Sequence, residues 1–221
     1  MIGGKAVPVP MEITHHPPFK SRRRRRGTLV NAAVIHQSVT SSVESTERVL
    51  RKKGLGVHFM IDGDGSIHQF NDLSDKLAHG NELNNRSCGV EIINPYTRTK
   101  GYWQKMIDPS PTAWRKKEAA DTDEQIASLE ALMAIICTHK FDMEDCKLEI
   151  PLDFPTQSEK GPNRGSPFWF DSSVGGIIAH GHRPARYPDF HEKAGQRVKG
   201  GHADGRMTVW RLSRLQRAEE V

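Results

Sequence analysis

Cysteine is scarce in this 221-residue chain, limited to Cys88, Cys137 and Cys146. The three are scattered, with neither the paired spacing of a structural zinc site nor the density of a disulfide scaffold. Cross-links are therefore not expected to hold the fold, and the chain suits reducing conditions. Cys88 and Cys137 lie among apolar neighbours and read as core residues rather than nucleophiles. Long apolar runs are also missing. The nearest candidate, Ala127 to Cys137, is broken by Glu130 and falls well short of the roughly 20 residues of a membrane span. No apolar block follows the first residue, so a secretory signal is not expected. Zinc-finger, RNA-binding sheet and recognition-helix patterns are likewise absent, which argues against a specific nucleic-acid binder.

What is present begins with charge. The formal net charge is +5, from 32 basic and 27 acidic residues. The run Arg22 to Arg26 accounts for that excess, so the basic character is local. Residues 1–27 combine this run with Pro8, Pro10, Pro17, Pro18, His15 and His16. They read as a basic, flexible arm suited to resting on an anionic cell-envelope surface.

Residues 28–221 read as one domain, with loop insertions near 95–120 and 151–172. Leu29 to His36 has strand character. Ser45 and Thr46 suit the start of a helix that ends near Gly54. Val57 to Ile61 and Ser66 to Phe70 flank Asp62-Gly63-Asp64-Gly65 as a tightly turned strand pair. Gly89 to Ile93 is a further strand, with Glu91 inside it. Thr122 can cap a helix running through Lys140, with Ile126, Leu129, Leu132, Met133 and Ile136 on one face. Leu148 to Ile150 reads as a short edge strand, Val174 to His180 as a strand and Met207 to Leu215 as a last helix. Alternation of helices with strands predicts an α/β fold, a central mixed sheet flanked by helices.

His36 and His180 each end an apolar run, and His202-Ala203-Asp204-Gly205 lies in a glycine-rich loop. Two imidazoles and a carboxylate make a donor set for catalytic Zn2+, with a fourth position left for water.

The ordered segments Val34-Ile35-His36, Gly56 to Asp62, Asp64-Gly65-Ser66-Ile67, Ala78-His79-Gly80, Asn84 to Glu91 and Ile177 to His180 resemble the type 2 N-acetylmuramoyl-L-alanine amidases. That family includes phage amidase endolysins and peptidoglycan recognition proteins. The resemblance implies zinc held by His36, His180 and an acidic residue: Asp204, with Asp189 as the alternative, while His182 competes with His180. It also implies Glu91 as the catalytic acid–base. His202 stands two residues before Asp204, where the family carries a lysine, and would take over oxyanion stabilisation. His58, His79, Asn85 and Trp169 are expected to line the substrate cleft, with His58 reading more readily as a core histidine just behind it.

The implied reaction is hydrolysis of the amide between N-acetylmuramic acid and L-alanine in peptidoglycan or a muropeptide. The alternative is a non-catalytic peptidoglycan-binding module. A monomer is expected, made in the cytoplasm without a signal peptide. It would act on the cell wall as a released endolysin or delivered enzyme, or alternatively in cytoplasmic recycling.

Overall fold

The computed structural model describes residues 1–21, 23–25, 27–38, 40–93, 122–138, 140–143, 146–152, 169–170, 175–179 and 183–184. Its strands are β1 (Ile13–His15), β2 (Arg23–Arg24), β3 (Thr28–Val30), β4 (Ala32–Gln37), β5 (Phe59–Ile61), β6 (Ile67–Gln69), β7 (Asp75–Lys76) and β8 (Ser87–Ile92). They continue with β9 (Phe141–Met143), β10 (Cys146–Leu148), β11 (Trp169–Phe170), β12 (Gly176–Ala179) and β13 (Arg183–Pro184). The helices are α1 (Val43–Lys53) and α2 (Asp123–Thr138), and a 3-10 turn spans Asn81–Asn85.

Six strands form the main sheet in the order β1-β6-β5-β8-β4-β12. The β5–β6 pair is antiparallel, while β1–β6, β5–β8, β4–β8 and β4–β12 are parallel. The fold is the expected mixed α/β sheet. Because side chains alternate across a strand, the central strands are apolar on both faces. Ala33, Ile35, Phe59, Ile61, Val90 and Ile92 pack in one cluster with Leu129, Leu132, Met133 and Ile136 of α2. On the opposite face Met60 packs with Val43 and Leu50 of α1. His36 and Glu91 alternate out of the α2 face, so they belong to this second face.

The helix ends follow from side-chain chemistry. Thr122 and Gln125 form the capping box anticipated for α2: each side chain accepts a hydrogen bond from the other's backbone N–H, at 3.0 Å. The Gln125 amide then donates to the carbonyls of Ile93 at 2.7 Å and Ile61 at 3.3 Å, tying α2 to the ends of two strands. Fully burying a Leu, Ile or Met side chain stabilises by about 1.5–3 kcal/mol, against a few tenths of a kcal/mol of helix propensity per residue. Packing therefore holds α2 in place. The first helix starts one turn earlier than Ser45 and Thr46 suggest. Ser42 is its N-cap, in a reciprocal box with Ser45, and Gly54 closes it at φ 65°, a left-handed conformation that glycine adopts without strain. The edge strand expected at Leu148 to Ile150 overlaps the structure only at Leu148: the strand is β10 (Cys146–Leu148), and it is the middle of a three-stranded sheet, between β3 and β9.

The reading of residues 1–27 as a flexible arm is corrected. The Met1 amino group donates to Gln69 Oε1 at 2.7 Å, and the backbone N–H groups of Gly3 and Gly4 donate to the Asp72 carboxylate at 2.7 and 2.8 Å. β1 adds to the sheet edge beside β6. Phe19 is buried against Phe70, under the Arg51 guanidinium. The composition is polar and proline-rich, but Ile2 and Phe19 are buried, and Val7, Met11 and Ile13 pack half-buried against the core. Side chains of Gln69, Asn71 and Asp72 bond this backbone, a pairing that local patterning does not reveal. The Arg run is not a uniformly solvated patch either: Arg23 and Arg24 pair with β7, and Arg25 is 1% exposed.

All three cysteines are free thiols. Burial pushes the Cys88 and Cys137 thiols up to about 12, in keeping with a packing role. Among the described residues no helix is long and apolar enough to cross a membrane.

Candidate active site

The central strands carry two polar side chains into an apolar layer. β4 and β8 run parallel with His36 opposite Glu91, and Glu91 is in turn opposite Met60 of β5. Register partners share a face, so His36 and Glu91 stand side by side at the floor of a pocket. Leu50, Leu55, Gly56, Ala78 and His79 complete its lining.

Glu91 is 2% exposed. Among the described residues its carboxylate makes no hydrogen bond and no ion pair. Burial pushes its pKa up to about 8, and the charge of Lys53 pulls only weakly the other way. A buried acid left without a partner costs several kcal/mol when ionised. Such a group marks a functional position more often than a structural one.

Three imidazoles are grouped behind it. His36 Nε2 is 3.2 Å from His79 Nδ1, with the rings edge to face. His79 Nε2 reaches the Ser87 carbonyl at 3.4 Å. With the Nε2 proton of His79 directed at that carbonyl, its Nδ1 accepts from His36 Nε2–H, which leaves the His36 lone pair on Nδ1. In metal-ligating histidines one ring nitrogen commonly donates to a neighbour in this way while the other faces the metal.

Gly89 makes the grouping possible. A Cβ there would lie 2.7 Å from His79 Nδ1, so only glycine lets the ring rest on β8.

His58 takes the core position that sequence favours for it and is not part of the pocket lining. It is fully buried, its Nδ1 accepts from Gly89 N–H at 2.9 Å, and its Nε2 donates to the Asp75 carbonyl at 3.1 Å. Burial first, and the nearby Arg25 charge second, hold its pKa down at about 3. His58 is a neutral cross-brace between β8 and the chain at Asp75. Asn85 is exposed on the 3-10 turn, outside the pocket lining, with its amide 3.4 Å from Thr28 Oγ1. Of His58, His79 and Asn85, His79 is the one that lines the pocket.

Trp169 lies in β11, paired with β13. His180, His182, Asp189, His202 and Asp204 lie outside the described residues, as do residues 94–121, most of 151–172 and the last expected helix. β12 pairs with β4 in the register Ala179 to Ile35, and His180 is the next residue in sequence. His36 is the one expected zinc ligand among the described residues, where no three His, Cys, Asp or Glu side chains converge on a common point.

Patterning missed Arg25 and Asn84. The Asn84 side-chain oxygen accepts from the backbone N–H groups of His79 and Gly80 at 2.9 and 2.6 Å, shaping the loop that presents His79. Nothing in the local sequence separates Arg25 from its four arginine neighbours.

A family model described as N-acetylmuramoyl-L-alanine amidase matches residues 25–150, more than half of the chain. The match contains His36, His79 and Glu91 and ends before His180. Among solved structures, the endolysin amidase LysCS from Clostridium intestinale URNW is 17% identical, with a TM-score of 0.44, over 62% of this chain and 80% of that one. The recognition protein PGRP-Hd from Alvinella pompejana is 14% identical, with a TM-score of 0.39, over 57% of this chain and 78% of that one. Peptidoglycan recognition protein SD from Drosophila is 17% identical, with a TM-score of 0.40, over 59% and 76%. No curated protein sequence matches the chain.

Proposed function

Because the chain belongs to the N-acetylmuramoyl-L-alanine amidase family, we propose that it is a zinc-dependent enzyme cutting the amide bond between N-acetylmuramic acid and L-alanine in peptidoglycan. The observation that carries this reading is Glu91: a buried carboxyl, unpartnered among the described residues, beside a strand-end histidine at the floor of a pocket. A binding module has no use for such a group, whereas amide hydrolysis needs a proton carrier at the reacting centre.

The residues present suit a zinc ion. His36 offers an imidazole nitrogen whose partner nitrogen is engaged by His79, and Glu91 in its apolar setting needs a neighbouring cation to ionise at neutral pH. His180 and Asp204 complete the ligand set. His180 follows β12 in sequence, and β12 pairs with β4, the strand that carries His36. When bound, zinc supplies Lewis-acid activation of the scissile carbonyl and of the attacking water. Glu91 takes the proton from that water and delivers it to the leaving alanine nitrogen. His202 donates an N–H to the oxyanion in the role a lysine fills in relatives. His79 keeps His36 oriented, and the apolar walls from Leu50, Leu55 and Ala78 exclude bulk water from the reacting groups.

Metal content and product analysis test the reading together. The purified protein is expected to hold zinc, and to release new N-terminal alanine and free lactyl-sugar ends from peptidoglycan. His36→Ala is expected to lose both the metal and the hydrolysis. Zinc retained with neither product formed would overturn the enzyme in favour of a recognition module.

Gly89→Ala tests the packing beneath the site. The new methyl group must push the half-buried His79 ring off β8, and a displacement of about 1 Å costs on the order of 10²-fold in rate. Because that ring can swing towards solvent, the thermal midpoint should stay close to wild type. Steady-state rates and a melting curve check this, and unchanged turnover would show that His79 does not need its present position.

A further inference from the structure

Arg25 is a buried cation held by dipoles instead of a counter-charge. Among the described residues no carboxylate comes within ion-pair distance of it. Among the described residues its hydrogen bonds all go to main-chain carbonyls: Nε–H is shared between Leu73 at 3.1 Å and Asp75 at 3.0 Å, Nη1 donates to Asn84 at 3.0 Å and Asn85 at 2.5 Å, and Nη2 to Ser87 at 2.5 Å. The planar fork of a guanidinium can serve five acceptors spread over this arc, and an ammonium, with three donors on a point charge, cannot.

These five carbonyls are the two ends of one excursion of the chain. Leu73 and Asp75 precede the loop carrying Ala78-His79-Gly80, and Asn84, Asn85 and Ser87 follow it. Between the clamped ends, the Asn84 side chain accepts from the backbone of His79 and Gly80. The Ser87 carbonyl, already bound by Arg25, also faces His79 Nε2. A continuous path of hydrogen bonds thus runs from Arg25 through Asn84 and Ser87 to His79, and from His79 Nδ1 to His36 Nε2.

We propose that Arg25 is a positioning residue for the active site: by clamping both ends of residues 73–87 it fixes the His79 ring and, through it, the orientation and tautomer of His36. Arg25 thereby serves the reaction without touching substrate. The catalytic consequence rests on the amidase reading above; the structural assignment does not.

Nitrogen-15 spectra of the histidine rings in the metal-free full-length protein, at one fixed pH, provide the test. They report which ring nitrogen carries the proton, and nuclear Overhauser contacts report whether the His36 and His79 rings still meet. Arg25→Lys keeps the charge and loses the fork. Asn84→Ala keeps Arg25 and cuts the next link, at a half-buried side chain where folding is not at risk. Leu132→Ala, in the core on the other face of the sheet, is the control for general loosening.

In both site variants the ring contact is expected to disappear and the His36 tautomer signature to change. Zinc affinity should fall by about 10- to 100-fold, as when an outer-shell partner is lost. The control should keep the wild-type signature despite a lower melting point. Should Arg25→Lys fail to fold, Asn84→Ala decides alone. Wild-type spectra in the site variants, or the same spectral change in Leu132→Ala, would overturn the proposal. If wild-type protein cuts no peptidoglycan, the amidase reading fails while the spectra still decide the role of Arg25.

Discussion

Replacing Glu91 with glutamine is expected to lower amide hydrolysis by about 10²–10⁴-fold, the usual range for removing a general acid–base, while leaving the protein at least as stable as wild type. The two halves of this expectation come from the same observation. Glu91 is 2% exposed and forms no hydrogen bond or ion pair among the described residues, so its charge contributes nothing favourable to folding there. Glutamine has the same shape, cannot ionise, and so avoids the cost of holding a carboxylate away from water. It also cannot carry a proton from water to the leaving nitrogen. A structural carboxylate would give the opposite pairing, modest loss of rate with clear loss of stability. Rates on a soluble muropeptide, set beside denaturation midpoints, separate the two. Activity within tenfold of wild type, or a midpoint several degrees lower, would remove Glu91 from the reaction.

The second large effect is on stability in acid. His58 titrates at about 3 in the folded protein against an ordinary value of 6.5, because burial and the Arg25 charge disfavour its imidazolium. The unfolded chain therefore binds a proton at His58 that the folded chain refuses. The stability that neutral His58 contributes is fully present above pH 6.5. It is lost as pH falls from 6.5 towards 3, by about 1.4 kcal/mol per pH unit within that window. A domain of this size has about 5–15 kcal/mol in total, so one brace can decide whether the protein survives acid. His58→Asn keeps an acceptor for the Gly89 N–H but cannot be protonated. It should be less stable at pH 7 and flatter between pH 6 and 4. Urea midpoints across that range check the slope, and parallel curves for the two proteins would dismiss His58 as its source.

His58 also illustrates where sequence reading stops. A histidine just before an apolar strand is compatible with both a cleft wall and a core brace. The choice depends on Gly89 and Asp75, residues 31 and 17 positions away. The N-terminal segment posed the same difficulty. Its polar, proline-rich composition describes a solvated arm, yet Gln69, Asn71 and Asp72 offer side-chain partners for its backbone, and β6 offers it an open edge. Arg25 is the sharpest case, since nothing in a row of five identical residues marks it as facing inward.

Local pattern succeeded where the deciding physics is local. The strands around Val34, Met60 and Val90, the Asp62 to Gly65 turn and the Thr122–Gln125 cap of α2 follow from period, turn chemistry and capping within a few residues. The glutamate inside an apolar strand and the histidine at the end of another were visible on the same terms, as polar groups that such strands do not normally carry. Those features follow from neighbouring residues alone. Contacts between distant segments set the rest: His36 and Glu91 share a face, Glu91 has no partner among the described residues, His79 rests on Gly89 and Arg25 gathers five carbonyls. Each of these depends on which distant segment fills the space beside a side chain, and that is settled by packing and by the requirement that buried polar groups find partners, over the whole chain at once.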